Sequence, residues 1–520
     1  MITLPTIVLA TVLLYIFRVM WNGYSEYRAH RKFASSYGIE DDDKMSGIVG
    51  KLRKIYKSED TEAPIVFRDE MRKEKGNEYI WKLLPNIFYY WVNDPQIARF
   101  LMNLDSKLVE KAETSKAYFV ADKNGFNNGL LMSEGELWEC HRRLLSRHFT
   151  KKSIANYIEA MDQSVSTFVE LLCKKGSFQS TQDIRELCNG ALYEVMFKCM
   201  MGDKDCISQT DRSHDDFIKS FEVISNTIVY RVDNRFKTMI FNKIPFMNNL
   251  VSYIIPQLRE ERKYKNIRDE FMNKIVNNAK DRRREGIESN DLASILTFSK
   301  DENGKEIFSE KEVKCQLFTF AFGGHETSAS TLIWALYFLG EYPEWADTIN
   351  KEFEQHGCVI DSKTLQNIPK TTSFIKETLR LCHTLDLYIP RKTKADIELP
   401  NGRILPKNFT FTIDLANMNT AKDVWGSDSF EFNPNRFFKE DKGRHSYQYL
   451  PFGGGKRNCI GQNFAMQEMK IFLLRIASQI KIENDVKQRS IHSRQPPNQW
   501  TGMTWKIKEG SLYQRFTPKL

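Results

Sequence analysis

The chain has 520 residues, 41% of them hydrophobic, which is enough to bury a large core and excludes a disordered polypeptide. Its net charge of +9 suits an anionic membrane surface or an acidic protein partner. With no dense basic arm interleaved with aromatics, nucleic acid is not indicated, and nine scattered cysteines without a C-x-x-C pair indicate neither a zinc site nor a disulfide framework. A reducing compartment fits that cysteine usage.

Ile2 to Trp21 is apolar apart from Thr3, Thr6, Thr11 and Arg18. A helix of about 20 residues crosses a hydrocarbon core about 30 Å thick. Arg18, Arg28, Arg31 and Lys32 follow the apolar run and no charge precedes it. The positive-inside rule then places the body of the protein in the cytosol. A cleaved signal peptide would want a positive n-region and a small-x-small cleavage site, and neither is clear. The expected organisation is an anchor helix over residues 1–22 and one large domain over 23–520, because no Pro-, Gly- or Ser-rich linker divides the chain.

Ile80 to Val92 reads as strand, interrupted at Pro85. Asp94-Pro95 opens a helix around Ile97 to Leu104. In Gly129 to Phe149, Trp138 and Arg142 stand four apart and share one helix face. Alone, they read better as an ordinary cation–aromatic pair on an amphipathic helix. Helical periodicity runs through Ile154 to Lys175, Gln182 to Met201, Asp215 to Asn234 and Ile255 to Arg284, the last polar enough to read as a solvated helix. Asp291 caps a short helix through Phe298, and Asp301 to Gly304 is a turn.

Glu310 to Gly340 is a long apolar helix ending before Pro343. Gly323 and Gly324 inside it each cost about 1 kcal/mol relative to alanine. A helix accepts that where something large must lie against its backbone, although a lone Gly-Gly also serves as a helix-packing notch. Glu326 and Thr327 follow at once. Thr371 to Cys382 reads as a helix with Glu377 and Arg380 on one face. Ile397 to Ile404 reads as a hairpin turning at Pro400-Asn401-Gly402, and Phe409 to Ile413 as a further strand.

Pro451 to Gly461 is a glycine-rich loop ending on Cys459, directly before a helix-forming run from Gln462 to Ser478. A cysteine there sits at the positive end of the helix dipole, which favours the metal-ligating thiolate. The glycines allow tight winding beneath a flat ligand, and Arg457 is placed to meet an anionic group on it. A phosphate-binding reading of Gly453 to Lys456 fails, because Arg457 stands where Ser or Thr would follow the lysine. A lone cysteine beside a glycine turn is more often a buried structural residue; the full pattern reverses that.

Phe452, Gly455, Arg457, Cys459 and Gly461 resemble, without a mismatch, the haem-binding loop of the cytochrome P450 family, Phe-x-x-Gly-x-Arg-x-Cys-x-Gly. The resemblance implies haem b bound non-covalently, with Cys459 as the axial thiolate that favours O–O cleavage. Trp138 and Arg142 match the Trp-x-x-x-Arg pair that binds a haem propionate in the family, and Arg391 and Arg457 would meet propionates as well. Gly323, Gly324, Glu326 and Thr327 match Ala/Gly-Gly-x-Asp/Glu-Thr, which implies oxygen binding in the groove at Gly324. Thr327 would hold a water that delivers protons, and Glu326 would support the path. Glu377 and Arg380 would join Arg436 in a structural network. The chain from about His214 to Tyr253 would lid the pocket.

Gly129 to Phe149, Phe322 to Ser328 and Tyr449 to Lys470 are most similar to the microsomal branch that includes fatty-acid ω-hydroxylases. Many members of that branch link haem to a glutamate at the position of Gly323, so a covalent link is not expected here.

The expected fold is mainly α with small β-sheets. The expected function is a haem monooxygenase of the endoplasmic reticulum membrane that inserts one atom of O2 into a hydrophobic substrate such as a fatty acid, sterol or xenobiotic. NADPH-cytochrome P450 reductase would supply electrons, with cytochrome b5 as a second candidate donor, since no flavin-binding domain follows Cys459. Two other readings stay open. One is a haem-thiolate isomerase or dehydratase, against which Glu326 and Thr327 argue. The other is a non-catalytic haem- or sterol-binding protein, which would have lost a relay residue.

Overall fold

The computed structural model describes residue 28 and residues 78–84, 87–112, 128–174, 176–202, 215–233, 253–385, 388–438, 444–489, 498–501 and 504–519. The expected anchor over 1–22 lies outside the described residues. Among these no helix is long and apolar enough to cross a membrane.

In chain order the first elements are β1 (Glu78–Leu84), β2 (Ile87–Val92), α1 (Pro95–Met102), β3 (Val109–Lys111), α2 (Gly135–Ser146), α3 (Ile158–Cys173), β4 (Gln179–Ser180) and α4 (Thr181–Met196). The middle of the chain holds α5 (Asp215–Asp233), α6 (Pro256–Arg284), α7 (Leu292–Phe298), α8 (Glu310–Glu341), α9 (Pro343–Glu354) and α10 (Pro369–Leu381). Then follow β5 (Arg391–Thr393), β6 (Ile397–Glu398), β7 (Ile404–Leu405), β8 (Thr410–Ile413), α11 (Gln462–Gln479), β9 (Ile480–Val486), β10 (Asn498–Thr501), β11 (Thr504–Ile507) and β12 (Leu512–Pro518). Helices dominate and the sheets are small, as the fold class expected.

The chain divides into two units, 1–112 with 386–429 and 444–458, and 113–385 with 430–443 and 459–520. The first is built on a five-stranded sheet in the order β1-β2-β8-β5-β3. The strand expected over Ile80 to Val92 is two antiparallel strands, split where Pro85 cannot donate to a ladder. β2 then pairs in parallel with β8, Tyr90 opposite Phe411 and Val92 opposite Ile413. Tyr90, Val92, Phe409, Phe411 and Ile413 are buried with Ile97 and Leu101 of α1. The start of α1 is set by Asp94, whose carboxylate accepts from Gln96 N at 2.8 Å and Ile97 N at 2.9 Å.

The second unit is organised around α8. Ser309 and Glu312 close a capping box at its start. From Val313 to Leu339 it is buried on nearly every side, as a helix apolar all round must be. It packs against α4, α6, α7, α10 and α11. Asp291 caps α7 by accepting from Ser294 N at 2.8 Å.

One expectation needs correction. α6 is not a solvated helix. Leu258, Tyr264, Phe271, Met272, Ile275 and Val276 form a buried face against α5, α7 and α8. Its many charges masked a narrow apolar stripe. Even Arg268 is only 1% exposed, its guanidinium 4.5 Å from the centre of the Phe318 ring.

Candidate functional site: a cysteine, a glycine-notched helix and a buried acid network

In the first unit, the loop before Cys459 is shaped by glycine. Gly453 and Gly455 have φ of +67° and +64°. A Cβ on Gly455 would stand 2.1 Å from the carbonyl oxygen of Met102, so only glycine fits. Tyr447 Oη ties the loop to the end of α1, accepting from Gly455 N at 3.1 Å and Asn103 Nδ2 at 2.8 Å. Pattern reading gave no sign of Tyr447, because the tie spans the fold. Phe452 and Arg457 are half-buried in this loop, and Arg391 is buried in β5 with its guanidinium 5.6 Å from the centre of the Tyr388 ring.

Cys459 opens the last part of the second unit. Its side chain is exposed, although protein surrounds it densely enough to desolvate the thiol. Burial pushes the thiol up, while N–H groups of Gly461 and Gln462 and the Arg142 guanidinium pull it down. The net shift is upward, so the expectation that the helix terminus alone favours thiolate is not met. A coordinated metal cation supplies the missing positive charge and deprotonates such a thiol outright.

Arg142 feels the same proximity. Burial lowers its pKa and Cys459 raises it. Trp138, one turn earlier on α2, is 7% exposed. Phe149, just beyond α2, stacks on Phe320 of α8 with centroids 5.1 Å apart.

On α8, Gly323 is accessible although Phe322 and Glu326 beside it are buried. A Cβ there would meet nothing within 4 Å, and one on Gly324 would meet Met196 Sδ at 3.6 Å. Gly323 therefore opens a notch on one face, while Gly324 lies against Met196 of α4. Thr327 Oγ1 donates to Gly323 O at 2.9 Å, which leaves its lone pairs to accept. Glu326 is buried and accepts from Ser225 Oγ of α5 at 2.7 Å.

The Glu377–Arg380 pair is fully buried on both sides. Arg380 Nε and Nη2 each donate to the carboxylate at 2.7 Å. Asn433 N donates to Glu377 Oε1 at 2.9 Å, and Arg436 Nε lies 3.4 Å from the same oxygen. The expected three-residue network is thus assembled from α10 and the later loop.

A second buried acid escaped the pattern reading. Glu468 on α11 is 1% exposed and hydrogen-bonds Ser328, the neighbour of Thr327. Burial pushes its pKa up to about 8, against the pull of Ser328, so it is protonated at neutral pH. Its Oε2 has no hydrogen-bond partner among the described residues. A glutamate between Gln467 and Met469 in a helix reads as an ordinary surface acid, and only packing reveals otherwise.

His141 of α2 was also unassigned. Gln316 of α8 accepts from Leu130 N at 2.9 Å through Oε1, so its amide nitrogen faces His141 Nδ1 at 2.8 Å. That nitrogen also donates to Asn128 O at 3.2 Å. Nδ1 must then accept, which requires a neutral ring with its proton on Nε2. Burial lowers the His141 pKa and Glu312 raises it in part. A histidine whose folded pKa is depressed contributes stability above its unfolded value of 6.5, and that stability is lost as pH falls below it. The thermal midpoint is expected to drop between pH 7.5 and 5.5, and to drop less in His141→Phe. Equal slopes for the two proteins would remove the effect from His141.

Among the described residues no group of three or more His, Cys, Asp or Glu side chains could hold a metal ion. An accessible thiol beside a guanidinium, and an open notch on a buried helix, fit a planar iron macrocycle with anionic edges.

A family profile described as Cytochrome P450 matches residues 48–511. The chain belongs to the cytochrome P450 family. It is similar to cytochrome P450 4A12 of Rattus norvegicus, 29% identical over 354 residues, covering 66% of this chain and 67% of that protein. Cytochrome P450 4F5 of Rattus norvegicus is 30% identical over 407 residues, covering 73% of each. Cytochrome P450 4X1 of Homo sapiens is 28% identical over 435 residues, covering 81% of this chain and 83% of that protein. The protein is accordingly a haem-dependent monooxygenase, an oxidoreductase of a family whose cofactor is haem b with an axial cysteine thiolate.

Proposed function

We propose that this monooxygenase hydroxylates fatty acids and related apolar chains on the cytosolic face of the endoplasmic reticulum membrane, with electrons from NADPH-cytochrome P450 reductase. Bound haem supplies the activation of O2, in which one atom enters a substrate C–H bond and the other leaves as water with two electrons and two protons. Cys459 holds the iron, and N–H groups of Gly461 and Gln462 together with Arg142 stabilise negative charge on its sulfur. Trp138 and Arg142 would meet a propionate of the bound haem. Phe452, Arg391 and Arg457, described in their own unit, take the cofactor roles that the loop motif implies.

Gly324 keeps the wall of α8 thin. Thr327 already donates to Gly323 O, so its oxygen accepts from a water and orients it. Glu326 exchanges protons with that water. Gly323 offers no side chain for a covalent haem link, which keeps the cofactor exchangeable.

The observation that carries this reading is the accessible notch at Gly323 in an otherwise buried helix, with Thr327 bonded back across it. The test is turnover of dodecanoic acid with reductase and NADPH, followed by mass spectrometry. Hydroxydodecanoic acids at a rate at least tenfold above a no-NADPH control are expected. NADPH-independent conversion of a lipid hydroperoxide, with no hydroxylation of fatty acids, would favour the isomerase or dehydratase reading instead.

A further inference from the structure

Ser225, at the polar end of the α5–α8 seam, belongs to none of the sequence motifs. α5 presents Phe217, Phe221 and Ser225 at successive four-residue steps, and α8 presents Phe318, Phe322 and Glu326 at the same spacing. Phe221 stacks on Phe318 with centroids 5.3 Å apart and lies 6.4 Å from Phe322. It also meets His325 edge-on at 5.0 Å. Phe217 stacks on Phe271 of α6 at 3.8 Å. The seam thus runs from a ring cluster to a hydrogen bond, Ser225 Oγ donating to Glu326 Oε2 at 2.7 Å.

Both partners are buried, Ser225 at 3% and Glu326 at 7% exposed. The charge of Glu326 is also felt by Arg185 and Tyr193 on α4. A carboxylate in such a place keeps one orientation only while its donors stay in register. Ser225 belongs to a different helix from Glu326, so that register depends on α5 being docked.

We propose that Ser225 is a positioning residue for proton supply, holding the Glu326 carboxylate in the orientation from which it serves Thr327. The proposal rests on the reading of Glu326 as a proton carrier. It adds the requirement that α5 be seated on α8 when protons are delivered. Loss of the hydrogen bond removes one of the restraints on the carboxylate, and protons then arrive late at the reacting oxygen. Dioxygen that has taken two electrons and two protons without bond cleavage leaves as hydrogen peroxide.

Ser225→Ala, Ser225→Thr, Glu326→Gln and the Ser225→Ala/Glu326→Gln double variant form the test, each loaded with haem and paired with reductase. The readout is the fraction of NADPH electrons recovered as hydrogen peroxide, which needs no identified substrate. Ser225→Ala is expected to raise that fraction about threefold and Ser225→Thr to restore it. The double variant is expected to match Glu326→Gln alone, as coupled neighbours do. A second readout, independent of turnover, is hydrogen exchange across Phe221 to Thr227. Exchange is expected to quicken about tenfold in Ser225→Ala, the scale of one hydrogen bond to a charged group.

If Glu326→Gln leaves the peroxide fraction at the wild-type value, the proton-carrier reading fails and the proposal with it. If Glu326→Gln raises the fraction and Ser225→Ala does not, only the role of Ser225 is overturned. Unchanged exchange in Ser225→Ala overturns it as well.

Discussion

Glu377→Ala is expected to cost about 3–5 kcal/mol of folding stability, the range for breaking a buried ion pair from one side. The carboxylate is fully buried and receives Arg380 through two bonds of 2.7 Å and Asn433 N at 2.9 Å. Its removal leaves the buried Arg380 guanidinium without its carboxylate acceptor, while the carbonyl of Glu431 still accepts from Nη2 at 3.2 Å. Arg436 loses its counter-charge at the same time. A loss of that size is a large share of the roughly 5–15 kcal/mol that stabilises a domain. Urea unfolding followed by tryptophan fluorescence measures it directly. Glu377→Gln keeps one acceptor oxygen and is expected to lose less than Glu377→Ala. A Glu377→Ala protein with the wild-type midpoint would show that this network contributes no net stability.

Cys459→Ser is expected to abolish the strongly red-shifted Soret band of the reduced, carbon-monoxide-bound protein. The substitution is nearly isosteric, so the loop, the N-terminus of α11 and the helical content are expected to remain, as circular dichroism would report. A serine hydroxyl has no accessible anionic form at neutral pH, and even for the Cys459 thiol desolvation outweighs the pull of two backbone N–H groups and one guanidinium. Turnover should fall by more than the 10–100-fold typical of losing a residue that only supports a ligand. A Cys459→Ser protein that retained the red-shifted band would place the axial ligand elsewhere. Cys188 and Cys199 are buried and their thiols are pushed far up by desolvation, so neither is a ready ligand.

The elements legible beforehand share one property: their causes lie within a few residues. Asp94 and Asp291 announce the helices they cap because a cap bonds to the next turn. The length of α8 followed from a continuous apolar run, and the hairpin β6–β7 from Pro400-Asn401-Gly402. The family's motifs around Gly323 and Cys459 are local in the same sense. α6 misled because its charges outnumber its apolar residues, and a narrow buried stripe does not dominate a composition average.

What the sequence by itself determined is therefore the inventory: the helices, the turns, the cysteine loop and the family's motifs. The tertiary structure alone decided which distant residues share an environment. It set β2 beside β8 across more than three hundred residues of chain. It buried Glu468 so that a surface-like glutamate stays protonated at neutral pH. It aimed Ser225 at Glu326 and Gln316 at His141. The physical reason is that periodicity and capping are short-range, while burial and a hydrogen bond between helices depend on how the whole chain packs, which no window of sequence contains.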